Sequence, residues 1–196
     1  MNTKVIIGLH GYTGVGKDEI AKHLVAKHGF TRVAFADAMR NGLLALDPWI
    51  WDPTRDEYLR LSAAINRDGW DWAKRNIPDV RTYLQRFGTE AGRDIHGLDC
   101  WTQAASAKIE SAHRVVVTDV RFLNEVWKLM SIAENESAEL EIWRVEREGH
   151  AAISSHQSEC AIKDEWIATT LCNNGSIDEL HKAVDDMFAA ILPLAT

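Results

Sequence analysis

Hydrophobic positions follow two rhythms along this chain. Lys4-Val5-Ile6-Ile7-Gly8-Leu9 is a short apolar run rich in β-branched residues, the pattern of a buried strand. Ile20, Ala21, Leu24 and Val25 then recur at helical spacing, and Gly29 supplies the stop. The same exchange repeats: a short strand over Thr31–Phe35, then a helix over Asp37–Leu46 with Met39, Leu43 and Leu46 on one side. Between Asp47 and Pro78 the alternation lapses, and Trp49, Trp51, Trp70 and Trp72 stand among charges and helical pieces, as an insertion would. A helix over Asp79–Phe87 leads into Gln85–Arg93, where two glycines among polar residues suggest a surface turn, either functional or merely solvated. Further on, Trp101–Ala112 reads as a helix and Arg114–Asp119 as a buried strand ending in a carboxylate. A helix opens at Asp119–Glu125 with Val126, Leu129, Met130 and Ala133 as its apolar stripe, and strands follow over Ala138–Val145 and Ile167–Leu171. Ser176 and Glu179 form a capping box ahead of a last helix carrying Leu180, Val184, Met187, Phe188, Ile191 and Leu192. Strands alternating with helices predict an α/β fold around a parallel sheet.

The first strand and helix enclose the most specific motif. In His10-Gly11-Tyr12-Thr13-Gly14-Val15-Gly16-Lys17-Asp18, Gly11 and Gly16 flank four residues and Lys17 follows. That is the spacing of a phosphate-binding loop, whose backbone N–H groups (Gly11, Thr13, Gly14, Val15, Gly16) cradle phosphates at a helix N-terminus while the lysine reaches the β- and γ-phosphates. A glycine-rich turn is the plainer alternative, and the matching flanks argue against it. The position usually held by Ser or Thr is Asp18, followed by Glu19. A carboxylate there either ligates Mg²⁺, which prefers oxygen, or complements the helix dipole. Asp119, ending its strand, matches the carboxylate that holds the magnesium shell in such proteins. The fold expected is therefore a three-layer P-loop domain spanning 1–196, with a mainly helical inserted lobe about 37–100. In the strand ending at Val145, Arg144 and Arg147 are either a phosphate clamp on a lid about 144–160 or a solvated charge run. The Asn173-Asn174-Gly175 turn falls where loops line the crevice of a doubly wound sheet, so this turn is expected to border the base.

Composition narrows the class. The 196 residues are 46% hydrophobic and 26% charged, as in an ordinary globular protein, and suffice for one α/β core. A net charge of −7 argues against a broad nucleic-acid surface. The three cysteines, Cys100, Cys160 and Cys172, form no C-x-x-C pair, which suits a reducing cytoplasm. His150, His156 and Cys160 lack a fourth ligand at zinc spacing. No apolar run approaches the ~18 residues of a membrane span.

These pieces resemble the deoxynucleoside monophosphate kinases of tailed bacteriophages. The resemblance is carried by Gly11–Asp18, by Phe35-Ala36-Asp37 with Arg40, and by Leu84–Arg93 with its Gly88-Thr89-Glu90 block. It continues through Asp119-Val120-Arg121-Phe122-Leu123-Asn124-Glu125, His156 with Ser158-Glu159, and Asn174-Gly175, almost the whole chain. The Thr that usually follows the Lys-Asp pair is Glu19 here.

The resemblance implies transfer of the ATP γ-phosphoryl group, with Mg²⁺, to a deoxynucleoside 5′-monophosphate for DNA precursor supply, in the cytoplasm of a host cell. It implies an acceptor site including Asp37, Arg40, Gln85, Glu90, Arg93, Arg121, Glu125, His156 and Glu159. Catalytic roles fall to Lys17, Arg121, Arg144 and Arg147; ATP contacts to the loop with Asp18, Glu19 and Asn174; metal contacts to Asp18 and Asp119. Neither nucleic acid nor membrane is an expected partner, and monomer and homodimer both stay open. A second reading is another small-molecule P-loop kinase resembling phosphomevalonate kinase, which also has a Lys-Asp loop. A nucleotide-dependent switch or ATPase subunit ranks third, because no N-K-x-D guanine signature is present.

Overall fold

The computed structural model describes residues 3–150 and 162–191. Its centre is a five-stranded parallel sheet in the order β2-β5-β1-β6-β7, built from β1 (Val5–His10), β2 (Thr31–Val33), β5 (Arg114–Val117), β6 (Glu139–Glu146) and β7 (Thr169–Cys172). β1 lies in the middle, with Gly8 opposite Val117 on one side and Ile142 on the other. A parallel sheet must be covered on both faces, and the alternation along β1 shows how. Val5, Ile7 and Leu9 point into a core with Trp143, Val145, Ile20 and Leu24 of α1 (Lys17–His28), and Val184 and Phe188 of α8 (Ile177–Ile191). Ile6 points the other way, toward Val115, Val117, Ile109 of α6 (Cys100–Ser111), and Leu129 and Ile132 of α7 (Leu123–Glu136). Ile6, Ile7 and Leu9 are fully buried, each contributing roughly 1.5–3 kcal/mol over an exposed side chain. The α/β, parallel-sheet expectation holds.

The chain divides into two compact units, 36–104 and the remainder. Within 36–104, α2 (Phe35–Leu46) runs in from the first unit, followed by the antiparallel hairpin β3 (Trp49–Asp52) and β4 (Glu57–Arg60), α3 (Leu61–Asn76), α4 (Pro78–Arg86), a π-helical stretch over Phe87–Arg93, and the single turn α5 (Asp94–His96). Its core gathers Leu43, Ile50, Leu61, Ala64, Ile77 and Val80. The helical pieces expected between Asp47 and Pro78 are present as α3, and the hairpin ahead of it is an addition to them. Its turn is locked by Asp52, fully buried, which accepts from Thr54 and from the guanidinium groups of Arg55 (2.9 Å) and Arg67 (2.7 Å). Burial alone would raise the Asp52 pKa; the hydrogen bonds from Thr54, Arg55 and Arg67 outweigh it and hold the carboxyl down at about 2.

Gln85–Arg93 is not a surface turn. The helix continues through it with π geometry, and Gly88 and Gly92 are buried, Gly88 against Met39 and Gly92 against the Trp101 indole, whose N–H donates to the Gly88 carbonyl at 2.9 Å. Glycine here makes room for those side chains. β2 also stops two residues before its expected end, at Val33, and Phe35 opens α2 because its N–H is capped by the distant Asp119 carboxylate at 2.8 Å. Likewise α7 starts at Leu123, later than expected, where Glu125 Oε2 accepts the N–H groups of Arg121 (2.7 Å) and Phe122 (3.0 Å). The capping box of α8 is present, with Ser176 and Glu179 bonded reciprocally. No helix among the described residues is long and apolar enough to cross a membrane.

Candidate active site

The glycine loop joins the carboxyl end of β1 to α1, and its backbone could not be made from other residues. Gly11, Gly14 and Gly16 have φ of 142°, 86° and 109°, the left-handed side that L side chains avoid. A Cβ at Gly11 would run into the Val145 carbonyl, and one at Gly16 into the Asn173 amide. Both crowding atoms belong to the neighbouring strands or their ends, so the loop is pressed into shape by β6 and by the turn after β7. Asn173 is buried and ties the two together: its Nδ2 donates to the Val15 carbonyl at 2.8 Å, and its own N–H donates to Glu146 at 2.7 Å. The sequence places the Asn173–Gly175 turn near the base and the resemblance names Asn174, but neither assigns Asn173 this part in shaping the loop. The only signal for Asn173 was its place in the Asn-Asn-Gly triplet.

Lys17, the first residue of α1, folds back over the loop, its Nζ donating to the carbonyls of Gly11 (2.6 Å) and Tyr12 (2.7 Å). An ammonium held against the loop's own carbonyls faces the place where a phosphate would sit at a helix N-terminus. Asp18, next along α1, is exposed. Glu19 points elsewhere, toward α8, where its carboxylate accepts from His181 at 3.1 Å.

The other wall is the segment after β5. Val120 N–H donates to Leu9 at 3.2 Å, and His10 Nδ1 donates to the Val120 carbonyl at 3.0 Å, bolting Thr118–Val120 to the end of β1. Asp119 thereby stands beside the mouth of the glycine loop, one strand over, with Oδ1 engaged by Phe35 N–H. Burial lowers the His10 pKa; the bond to Val120 opposes the shift, and the positive fields of Arg144, Lys17 and Arg121 add to it. The imidazole is therefore neutral near pH 7.

The remaining expected residues divide by location. Arg121 is exposed between β5 and α7. Arg144 sits on β6 opposite His10, its guanidinium paired with Asp164. Arg147 is exposed just beyond β6, in a turn whose Glu148 N–H donates to Asn174 Oδ1 at 2.8 Å. His150 of that turn lies against the open side of Gly14. The rest of the expected lid, with His156 and Glu159, lies outside the described residues. Glu125 is buried and spends Oε2 on the α7 cap.

In the other unit, Asp37 and Arg40 face each other at 3.9 Å, Arg40 lies 5.8 Å from the Trp70 ring centre, and its Nε is buried without a hydrogen-bond partner among the described residues. Glu90 pairs with Arg86 at 3.0 Å on the surface, Gln85 is exposed and Arg93 is half-buried. A separate cavity of about 570 Å³ on the α7 face of β6, lined by Met130, Leu140, Trp166, Glu134 and Glu165 among others, has no Lys or Arg in its lining among the described residues and does not suit a phosphate.

No protein-family model matches the chain. It is 25% identical over 190 residues, 92% of its length and 94% of the relative's, to a protein of Acanthamoeba polyphaga mimivirus named "Putative deoxynucleotide monophosphate kinase". Among solved structures it is similar to the Mycobacterium tuberculosis APS kinase in complex with AMPPNP and APS, at 14% identity over 96% of this chain and 99% of that one, with a TM-score of 0.49. A gluconokinase from Sinorhizobium meliloti matches at 13% identity over 98% and 96% of the two chains, with a TM-score of 0.48. Likeness of that degree does not bear on the reaction.

Proposed function

We propose that this protein is an ATP-dependent kinase that transfers the γ-phosphoryl group to a deoxynucleoside 5′-monophosphate, giving the diphosphate for DNA precursor supply in the cytoplasm. The observation that carries the reading is the glycine loop itself. Three glycines at positive φ, a lysine turned into the loop mouth and an aspartate one strand over form the arrangement that phosphoryl transfer from a nucleotide requires. The distant mimivirus relative supports the choice of acceptor.

The acceptor phosphate has a second pKa of about 6 and is already a dianion near neutral pH, so the site needs no general base. Its oxygen attacks the γ-phosphorus as the bond to the β,γ-bridging oxygen breaks, ADP leaves, and the new P–O–P linkage completes the diphosphate. The chain's task is alignment and neutralisation. Loop N–H groups and Lys17 hold the β- and γ-phosphates, and Arg121 adds positive charge beside them. The acceptor phosphate is assigned to Arg40, Arg93 and Arg121. The buried Arg40 Nε, which has no hydrogen-bond partner among the described residues, supports Arg40, since an oxyanion is a strong acceptor for such a donor. Asp18 and Asp119 offer the hard oxygens that fit Mg²⁺ and would hold it. Bound there, Mg²⁺ supplies neutralisation of the β,γ-phosphate oxygens.

A coupled assay of ADP release, with ATP, Mg²⁺ and a panel of deoxy- and ribonucleoside monophosphates and phosphomevalonate, tests the proposal. Turnover with at least one deoxynucleoside monophosphate is expected. Turnover with phosphomevalonate alone, or ADP release that needs no acceptor, would overturn it.

A further inference from the structure

Toward the end of α1 away from the glycine loop, its last turns and the middle of α8 bring histidines together around one carboxylate. Asp185 Oδ1 accepts from Nε2–H of His23 at 2.8 Å and of His28 at 2.7 Å, and the three ligand atoms lie within 4.8 Å of one another. The groups are mostly sheltered, with side-chain exposures of 11%, 17% and 26% for His23, His28 and Asp185. The other carboxylate oxygen, Oδ2, is taken by Lys27 at 2.6 Å. His181 stacks on the His23 ring, 4.0 Å between centres, and holds it in place from the α8 side. Phosphoryl transfer makes no use of any of these residues.

We propose that His23, His28 and Asp185 form a binding site for a divalent transition metal of the zinc class, one that pins α8 to α1. The donor set is two imidazole nitrogens and one carboxylate oxygen, which suits borderline metals such as Zn²⁺ and is poor for Mg²⁺ or Ca²⁺. Zinc lies about 2.0–2.2 Å from such ligands, which sets tetrahedral ligand atoms roughly 3.4 Å apart. The two present N–O separations therefore widen by roughly half an ångström or slightly more, within the reach of side-chain torsions. Each ring ligates through Nε2 and carries its proton on Nδ1. Lys27 stays on Oδ2 as the outer partner that orients the carboxylate, and water completes the shell from the exposed side. The carboxyl end of α1, where His28 is the last helical residue, also favours a cation through the helix dipole.

The test uses the untagged full-length chain, stripped with a chelator and titrated with ZnCl₂ in excess Mg²⁺, which occupies oxygen-only sites. One equivalent bound, a raised melting temperature, and at least about tenfold weaker binding in His23→Gln and in His28→Gln are expected. Absence of saturable binding, or binding that both variants retain, would overturn the site. Co²⁺ bound to the unaltered protein gives a readout independent of how the variants fold. Visible d–d bands without a thiolate charge-transfer band are expected, whereas a thiolate band would assign the metal to cysteine and refute the proposal.

Discussion

Replacing Asn173 with alanine removes one hydrogen bond, and its consequences can be followed through to kinetics. The Val15 side chain is fully buried and its carbonyl accepts the Asn173 amide at 2.8 Å. Without that donor, a buried carbonyl is left unsatisfied at a cost of about 1–3 kcal/mol. The amide also packs against the Cα of Gly16, so its loss opens the loop where α1 begins. If the loop stayed put, the whole cost would fall on stability and lower the melting temperature by roughly 2–12 °C for a chain of this size. A loop at the protein surface relaxes instead, and ATP must then restore its shape. The same free energy reappears as a rise in KM for ATP of roughly fivefold to a little over a hundredfold. The expected result of Asn173→Ala is therefore a raised KM for ATP with the acceptor KM within about twofold of the original, together with a modest loss of melting temperature. Initial rates with each substrate varied in turn, beside a thermal melt, measure both. Unchanged melting temperature and unchanged KM for ATP would refute the reasoning that this amide shapes the phosphate loop.

Lys17→Ala is expected to leave circular dichroism intact while lowering turnover by orders of magnitude, since the lysine bonds to the loop carbonyls of Gly11 and Tyr12 at the surface end of α1 and charge neutralisation carries this chemistry; near-normal turnover would oppose it. Asp119→Asn and Asp18→Ala should each raise the Mg²⁺ concentration needed for half-maximal rate, and an unchanged Mg²⁺ titration for Asp18→Ala would leave that residue a helix-dipole role only. Arg40→Ala, losing charge-assisted bonds of ~1.5–3 kcal/mol, should raise the acceptor KM roughly ten- to hundredfold and that for ATP far less. Asp52 is held at about 2 in the folded chain, below its ordinary 3.8, so its contribution is full above pH ~4 and is lost as pH falls through about 2; urea midpoints should drop over that window in the original protein and less so in Asp52→Asn.

What could be read along the chain was whatever a local pattern encodes. β1, the glycine loop, α1 and the capping box of α8 are each set by neighbours a few residues apart, and the alternation of odd and even positions on β1 between two cores follows from strand period alone. The misreadings came where distant residues decide. Gly88 and Gly92 carry the usual signal of a break, yet Met39 and Trp101 fill the space left by their missing side chains and keep the backbone helical. The β3–β4 hairpin hides behind a charged turn whose buried Asp52 is completed by Arg67, fifteen residues away. Phe35 starts a helix because of Asp119, far along the chain. At the candidate site, the loop and Asp119 were legible because their spacing is stereotyped. The strut from Asn173, after β7, to Val15, after β1, joins residues far apart in sequence and leaves no periodic trace, and Glu19, expected at the nucleotide, is drawn to His181 on α8.

The central claim is transfer of a phosphoryl group from ATP to a deoxynucleoside monophosphate, and phosphorus NMR of the reaction mixture reads it directly. With ATP, Mg²⁺ and the accepted monophosphate, the monoester signal should fall as the paired α and β signals of its diphosphate rise in step with ADP, and the Lys17→Ala protein should show neither. ADP accumulating with free inorganic phosphate, while the monoester signal persists, would contradict the account.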